Sequence, residues 1–264
     1  MKVVKQNFLH NYLFDFQSVG KFIAPCGKAY SPYLSEWINM SVKNDPIIKV
    51  PIGGVLELEC EAVGSPPPQV KWVHRNNLLQ EAGFPEQNEV QNTAIGKIRS
   101  RLVIDCVMPH HHGVYECSGT SGSKKKVSSP IHVLIEENDD MTNTACERNS
   151  PKVPRVVSWG PTLLELAEHD ITLPCTAVGS PAPEIYWISN KNQIIDSDTI
   201  SSHYKILPSG DLLINQISWD DMGTYTCVAQ NSLGSDKVAS FLYPVKKEGK
   251  LVTFLLLLHR TQNQ

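Results

Sequence analysis

The feature that most constrains this chain is a pattern written twice. Around Cys60 the sequence reads GVLELECEAVGSPPPQVKWV, and around Cys175 it reads HDITLPCTAVGSPAPEIYWI. Both carry C-x-A-V-G-S-P-x-P, and Trp72 and Trp187 follow their cysteines at the same offset. The second halves align without a gap, RLVIDCVMPHHHGVYEC against DLLINQISWDDMGTYTC. Leu102 matches Leu212, Ile104 matches Ile214, Gly113 matches Gly223, Tyr115 matches Tyr225 and Cys117 matches Cys227. A duplication of this extent implies two copies of one structural unit. The 264 residues allow two domains of ordinary size, and a hydrophobic fraction of 41% can supply each with a core.

Inside each copy the periodicity is that of a strand. Leu56, Leu58 and Cys60 alternate with Glu57 and Glu59; Ile171, Leu173 and Cys175 alternate likewise. Period-two alternation buries one face of a strand and wets the other. The 18 prolines and 16 glycines argue for frequent turns and against long helices. Cys60 and Cys117 then belong to facing sheets and point at each other, with Trp72 packed on their bridge. Cys175, Cys227 and Trp187 repeat the arrangement. Tyr115 and Tyr225, each two residues before the second cysteine, supply a corner hydrogen bond. These elements together mark immunoglobulin sandwiches. The expected fold is all-β, with two tandem immunoglobulin-like (I-set) β-sandwiches at 45–135 and 154–245. A linker covers 136–153. An N-terminal extension, 1–44, is expected to be poorly ordered, and a C-terminal tail covers 246–264.

The copies differ in two places. Cys106 stands where the second copy has Gln216, and the linker contains Cys146. Strand F runs antiparallel to the final strand G, so the turn before F lies at the end where G leaves the domain. Cys106 precedes that turn and Cys146 follows G. A Cys106–Cys146 bridge pinning the linker to the first sandwich is expected, the alternative being two free thiols. Cys26 is then the odd cysteine of seven. The second difference is His111, where the second copy has Asp221. That aspartate commonly pairs with a basic residue near strand D, so the first domain is expected to lack the pair. An exposed pair would contribute only about 0–1 kcal/mol.

Several function classes are excluded or demoted. A net charge of −3 with 19% charged residues is no footprint for nucleic acid. No nucleophile elbow, H-E-x-x-H or phosphate-cradling glycine loop occurs, so an enzyme is not expected. No cofactor or metal is expected either. His110-His111-His112 is read as an exposed E–F turn rather than a metal site, because consecutive side chains point different ways. Lys124-Lys125-Lys126 is read as a solvated edge after a hairpin, with an anionic partner as the alternative. Asn39-Met40-Ser41 fits the N-glycosylation acceptor ahead of the first sandwich, where it would be exposed. Residues 1–35 interleave Asn7, His10, Asn11, Asp15 and Gln17 with apolar residues, unlike a secretory signal. Leu251–Leu258 is shorter than the roughly 18 residues of a membrane span. The expectation is that both end stretches lie outside the authentic mature protein.

From about Asp45 to Lys247 the chain resembles the secreted two-immunoglobulin-domain (Zwei-Ig) proteins of nematodes and their insulin-binding insect relatives. The residues carrying this are Pro154–Trp159 (PRVVSW), Leu207–Ile214 (LPSGDLLI), Ile217–Gly223 (ISWDDMG) and Phe241–Pro244 (FLYP). The extra cysteine pair also looks like the nematode members. The resemblance implies a soluble extracellular protein that acts by binding a protein ligand, either an insulin-like peptide or a neuronal surface protein in axon maintenance. It implies no membrane span and leaves the oligomeric state open. An ectodomain of a cell-adhesion or axon-guidance receptor and an intracellular muscle-type I-set protein are the alternatives.

Overall fold

Alternation becomes pairing in the computed structural model, which describes residues 36–82, 95–136, 146, 150–199 and 201–245. The first sandwich contains β1 (Trp37–Val42), β2 (Ile47–Pro51), β3 (Leu56–Ser65), β4 (Gln69–His74), β5 (Asn77–Ala82), β6 (Ile95–Ile104), β7 (Gly113–Ser121), β8 (Lys124–Val127) and β9 (Ile131–Glu136). One sheet runs β2-β9-β7-β4-β5, with β8 also on β7; the facing one runs β1-β3-β6. Leu56, Leu58, Cys60 and Ala62 on β3 are buried, and Glu57 between them is exposed. They meet Val70, Trp72, Ile98, Leu102, Tyr115, Cys117, Ile131 and Val133 in one core.

The sandwich begins earlier than residue 45. Val42 pairs with Cys60 and Trp37 with Ser65, so Trp37–Val42 covers an edge of β3 that would otherwise leave its backbone polar groups unpaired.

The second sandwich contains β10 (Lys152–Leu166), β11 (Ile171–Leu173), β12 (Cys175–Ser180), β13 (Glu184–Ile188), β14 (Ile194–Ile195), β15 (Tyr204–Ile206), β16 (Leu212–Ile214), β17 (Gly223–Asn231) and β18 (Gly234–Val245). Strand B is split into β11 and β12 at Pro174, which has no N–H to give a ladder. β11-β16-β15 form a three-stranded sheet. β10 pairs β12 through its first half and runs parallel to β18 through its second. The core gathers Val156, Trp159, Leu163, Leu173, Cys175, Trp187, Leu212, Ile214, Tyr225, Cys227 and Leu242. In both copies the Gly-Ser-Pro-x-Pro turn between strands B and C carries a cis peptide, at Ser65–Pro66 and at Ser180–Pro181.

The two sandwiches share a sheet. In the second, the E strand β16 has its own D strand, β15, alongside. In the first, the E strand β6 has β3 on one side and β10, from the second sandwich, on the other. Among the described residues no strand of the first sandwich takes that second edge. The result is a ladder β1-β3-β6-β10-β18-β17-β13-β14 that crosses from one domain to the other.

Candidate functional site

The residues singled out from the sequence fall into two mirrored cores. Cys60 and Cys117 are joined with Cα atoms 6.4 Å apart, and Cys175 and Cys227 with Cα atoms 6.5 Å apart. All four cysteines, Trp72 and Trp187 have no exposed surface. A buried indole N–H needs an acceptor. Trp72 Nε1 donates to Ser100 Oγ at 3.2 Å and Trp187 Nε1 to the Gly210 carbonyl at 3.0 Å. Tyr115 Oη donates to the His111 carbonyl at 2.8 Å, and Tyr225 Oη to the Asp221 carbonyl at 3.1 Å. Burial pushes both phenols above their ordinary value. In the Ser-Gly-Asp-Leu-Leu-Ile run, Asp211 Oδ1 accepts the Cys175 N–H at 2.8 Å, and burial raises its carboxyl. Trp219 of Trp-Asp-Asp-Met and Tyr243 of Phe-Leu-Tyr-Pro meet edge to face, 5.7 Å between centroids.

The seam between the domains holds residues that sequence reading missed. On β6, Lys97, Arg99 and Arg101 alternate with core residues; Arg99 stands opposite Glu61 and Arg101 opposite Glu59 on β3, with Lys97 one step along at Val63 and Glu57 one step along at Val103. Arg99 Nε lies 2.8 Å from Glu61 Oε2 and Lys97 Nζ 3.0 Å from Glu61 Oε1. Burial alone would raise the Glu61 carboxyl, but the bonds from Arg99 and Lys97 outweigh it and hold it below the ordinary value. Arg101 reaches Glu57 at 3.1 Å, crosses the seam to Asp236 at 3.7 Å, and sets its guanidinium 5.3 Å from the Trp159 ring centroid. Asp105 of the first domain lies 2.9 Å from Arg155 and 3.1 Å from Lys152 of the second. Gln80 Nε2 donates to the carbonyls of Arg101 and, across the seam, Val157. The two complementary charge stripes were the available signal: Glu at 57, 59 and 61 against Lys and Arg at 97, 99 and 101.

The E–F turns show how the copies diverge. In the second domain the turn Trp219–Asp221 is capped by Asp221, whose Oδ2 accepts the Ser218 N–H at 2.7 Å. Its Oδ1 meets His203 Nε2 at 2.8 Å. Burial would raise this carboxyl, but the Ser218 and His203 bonds hold it below the ordinary value. In the first domain the turn is Pro109–His111, and His111 Nδ1 accepts the Met108 N–H at 2.9 Å. Position 111 thus keeps the capping role. The bridge Cys106–Cys146 lies against this turn, with Cα atoms 5.9 Å apart and Cys146 Sγ 3.3 Å from Met108 Sδ.

The remaining candidates are placed as follows. Asn39 is half-buried on β1 rather than free ahead of the sandwich, and its Oδ1 accepts from Lys126 Nζ at 3.2 Å. Lys124, Lys125 and Lys126 are exposed on β8. Among the described residues no group of His, Cys, Asp and Glu has the arrangement to hold a metal ion. The concavity lined by Asp170, Ser202, His203, Asn215 and Gln216 has no apolar wall of the kind that encloses a small molecule. Among the described residues no helix is long and apolar enough to cross a membrane. Cys26, residues 1–35 and Leu251–Leu258 lie outside the described residues.

Two closed sandwiches with buried bridges define an immunoglobulin-domain protein, a non-enzymatic class. The immunoglobulin I-set domain family matches residues 164–243, and an immunoglobulin domain family matches residues 39–121. The neural/ectodermal development factor IMP-L2 of Drosophila melanogaster is 32% identical over 218 residues, spanning 81% of this chain and 79% of the relative. Its crystal structure superposes with a TM-score of 0.62 at 30% identity, covering 81% of this chain and 97% of the other. The Zwei Ig domain protein zig-4 of Caenorhabditis elegans is 30% identical over 205 residues, spanning 75% of this chain and 77% of the relative. The chain belongs to this two-immunoglobulin-domain family.

Proposed function

We propose that this chain is an extracellular binding protein whose ligand is a small secreted protein of the insulin-like class. The observation that carries the reading is likeness across both sandwiches at once. A single sandwich could not give a TM-score of 0.62 over 81% of the chain, so the likeness to IMP-L2 includes the way the domains are set together. The three bridges suit an oxidising compartment and speak against an intracellular muscle-type protein. An axon-maintenance role through a neuronal surface protein is the branch that the similarity to zig-4 supports.

The test is titration of the purified, oxidised full chain with insulin and with an insulin-like growth factor, alongside capture from neuronal surface extracts. Saturable hormone binding with a Kd below about 1 μM supports the first branch. No hormone binding at tens of micromolar removes it, and specific retention of a neuronal surface protein then moves the reading to the second.

A further inference from the structure

The repeat built one turn twice with two different titrating groups, and this has a functional consequence. In each E–F turn a side chain at the same position accepts the backbone N–H three residues earlier: Asp221 for Ser218, His111 for Met108. A carboxylate can accept that bond at any pH above its own titration. An imidazole can accept it only at a nitrogen that carries no proton. Since the Met108 N–H can only donate, Nδ1 of His111 is bare and the ring is neutral with its proton on Nε2.

The segment that follows β6 is also the place where the first domain is fastened to what comes after it. Asp105 holds Lys152 and Arg155 of β10, Cys106 carries the bridge to Cys146, and the sulfur of Met108 touches that of Cys146. We propose that His111 is an acid-sensitive latch: its protonation uncaps the Pro109–His111 turn and loosens the attachment of the interdomain linker, while the second domain's turn stays closed.

The surroundings favour the neutral ring. His110 on the same turn lies tilted against it, ring centroids 3.9 Å apart. At the end of β4, His74 Nε2 and Arg75 Nη2 both donate to the His112 carbonyl, at 3.1 and 2.9 Å. Tyr115 on β7 bonds the His111 carbonyl. β9 brings exposed His132. Glu116 sits on the opposite face of β7 from Tyr115, and Asp105 is engaged by the two cations of β10. A protonated His111 would therefore sit among other imidazoles and a guanidinium. Burial, then the neighbouring His110 and His74, hold its pKa below the ordinary 6.5.

A group with a depressed folded-state pKa that must charge binds its proton more tightly when the turn is open. For His111 the closed turn is fully favoured above 6.5 and loses that advantage as pH falls from there through the folded value. For Asp221, also depressed, the contribution is present above 3.8 and is lost only below it. Below the folded value of His111 and above 3.8 the two turns are in opposite states.

The experiment is a titration of the 15N-labelled full chain from pH 7.5 to 5, following the His111 ring and the Met108 and Ser218 amides. The Met108 amide should shift in step with the ring, with a midpoint below 6.5. Its protection from exchange, corrected for the intrinsic rate, should fall by up to about tenfold per unit of pH in that window. Ser218 should not move. His111→Asp installs the group that the same turn already tolerates in the second domain; His111→Gln accepts a hydrogen bond without titrating. Both should abolish the Met108 titration. A Met108 amide that stays fixed while the ring titrates overturns the latch, as does an unchanged Met108 titration in His111→Asp.

Discussion

Gly96, the second residue of β6, pairs with Leu163 of β10 where the two sandwiches meet. A Cβ at this position would lie 2.6 Å from Cβ of Pro67, and 3.0 Å from both Cγ of Pro67 and Cδ2 of Leu163. Pro67 belongs to the first domain's B–C turn and Leu163 to the second domain's core, so one methyl would strike both domains. Carbon atoms prefer separations of about 3.5–4.0 Å, and the overlap with Pro67 is roughly 1 Å. Leu163 can turn its terminal methyl away, whereas the proline ring is fixed to the backbone. Inserting a methyl into such a contact costs about 1–3 kcal/mol. Replacing glycine by alanine also stiffens the unfolded chain, which stabilises by about 0.4–1 kcal/mol. The clash wins. Gly96→Ala should lose about 1–2 kcal/mol, lowering the thermal midpoint by roughly 2–8 °C for a chain of this size. Gly96→Val should lose more and open the β6–β10 pairing, splitting one cooperative urea transition into two. Tryptophan fluorescence reports both domains, since each core holds an indole. A Gly96→Ala protein as stable as its parent, still unfolding in one transition, would refute the close approach at the seam.

Two further outcomes follow from the bridges and the charge ladder. Replacing Cys106 and Cys146 together by Ser should reduce unfolding stability by up to about 4 kcal/mol, the chain-entropy value for a separation of 40 residues. Equal denaturation curves for parent and variant under oxidising conditions would show that the linker is not fastened there. Glu61→Gln removes a carboxylate that Lys97 and Arg99 both hold, and should cost about 1.5–3 kcal/mol at pH 7. Because the Glu61 pKa is depressed in the folded chain, its stabilisation is present above 4.5 and is lost as pH falls through the lower folded value. Urea curves from pH 7 to pH 3 should therefore bring variant and parent together at the acid end. A constant gap would mean that Glu61 acts through packing rather than charge.

The two cores were legible because everything they need is written locally and twice. Alternation at Leu56, Leu58 and Cys60 sets the buried face, and the spacing to Trp72, Tyr115 and Cys117 places the partners. The seam was not legible, because the strand that covers the open edge of β6 lies beyond the linker, at Lys152–Leu166. Arg99 and Arg101 look like any solvated strand face until Trp159 and Asp236 arrive from the other domain. Gly96 looks like an ordinary turn glycine until Pro67 and Leu163 close on it.

Residue 111 lies between these extremes. Aligning the repeat exposes the exchange of aspartate for histidine and suggests a lost ion pair. It does not show that the imidazole inherits the aspartate's other bond, to the backbone N–H. What the exchange gives up is the second domain's half-buried contact between Asp221 and His203, a hydrogen bond to an imidazole. The cap was kept because an uncapped N–H beside a buried core costs more. A histidine is the replacement that keeps the bond and makes it conditional on pH, and the first domain places it against the residue that touches the linker's cysteine.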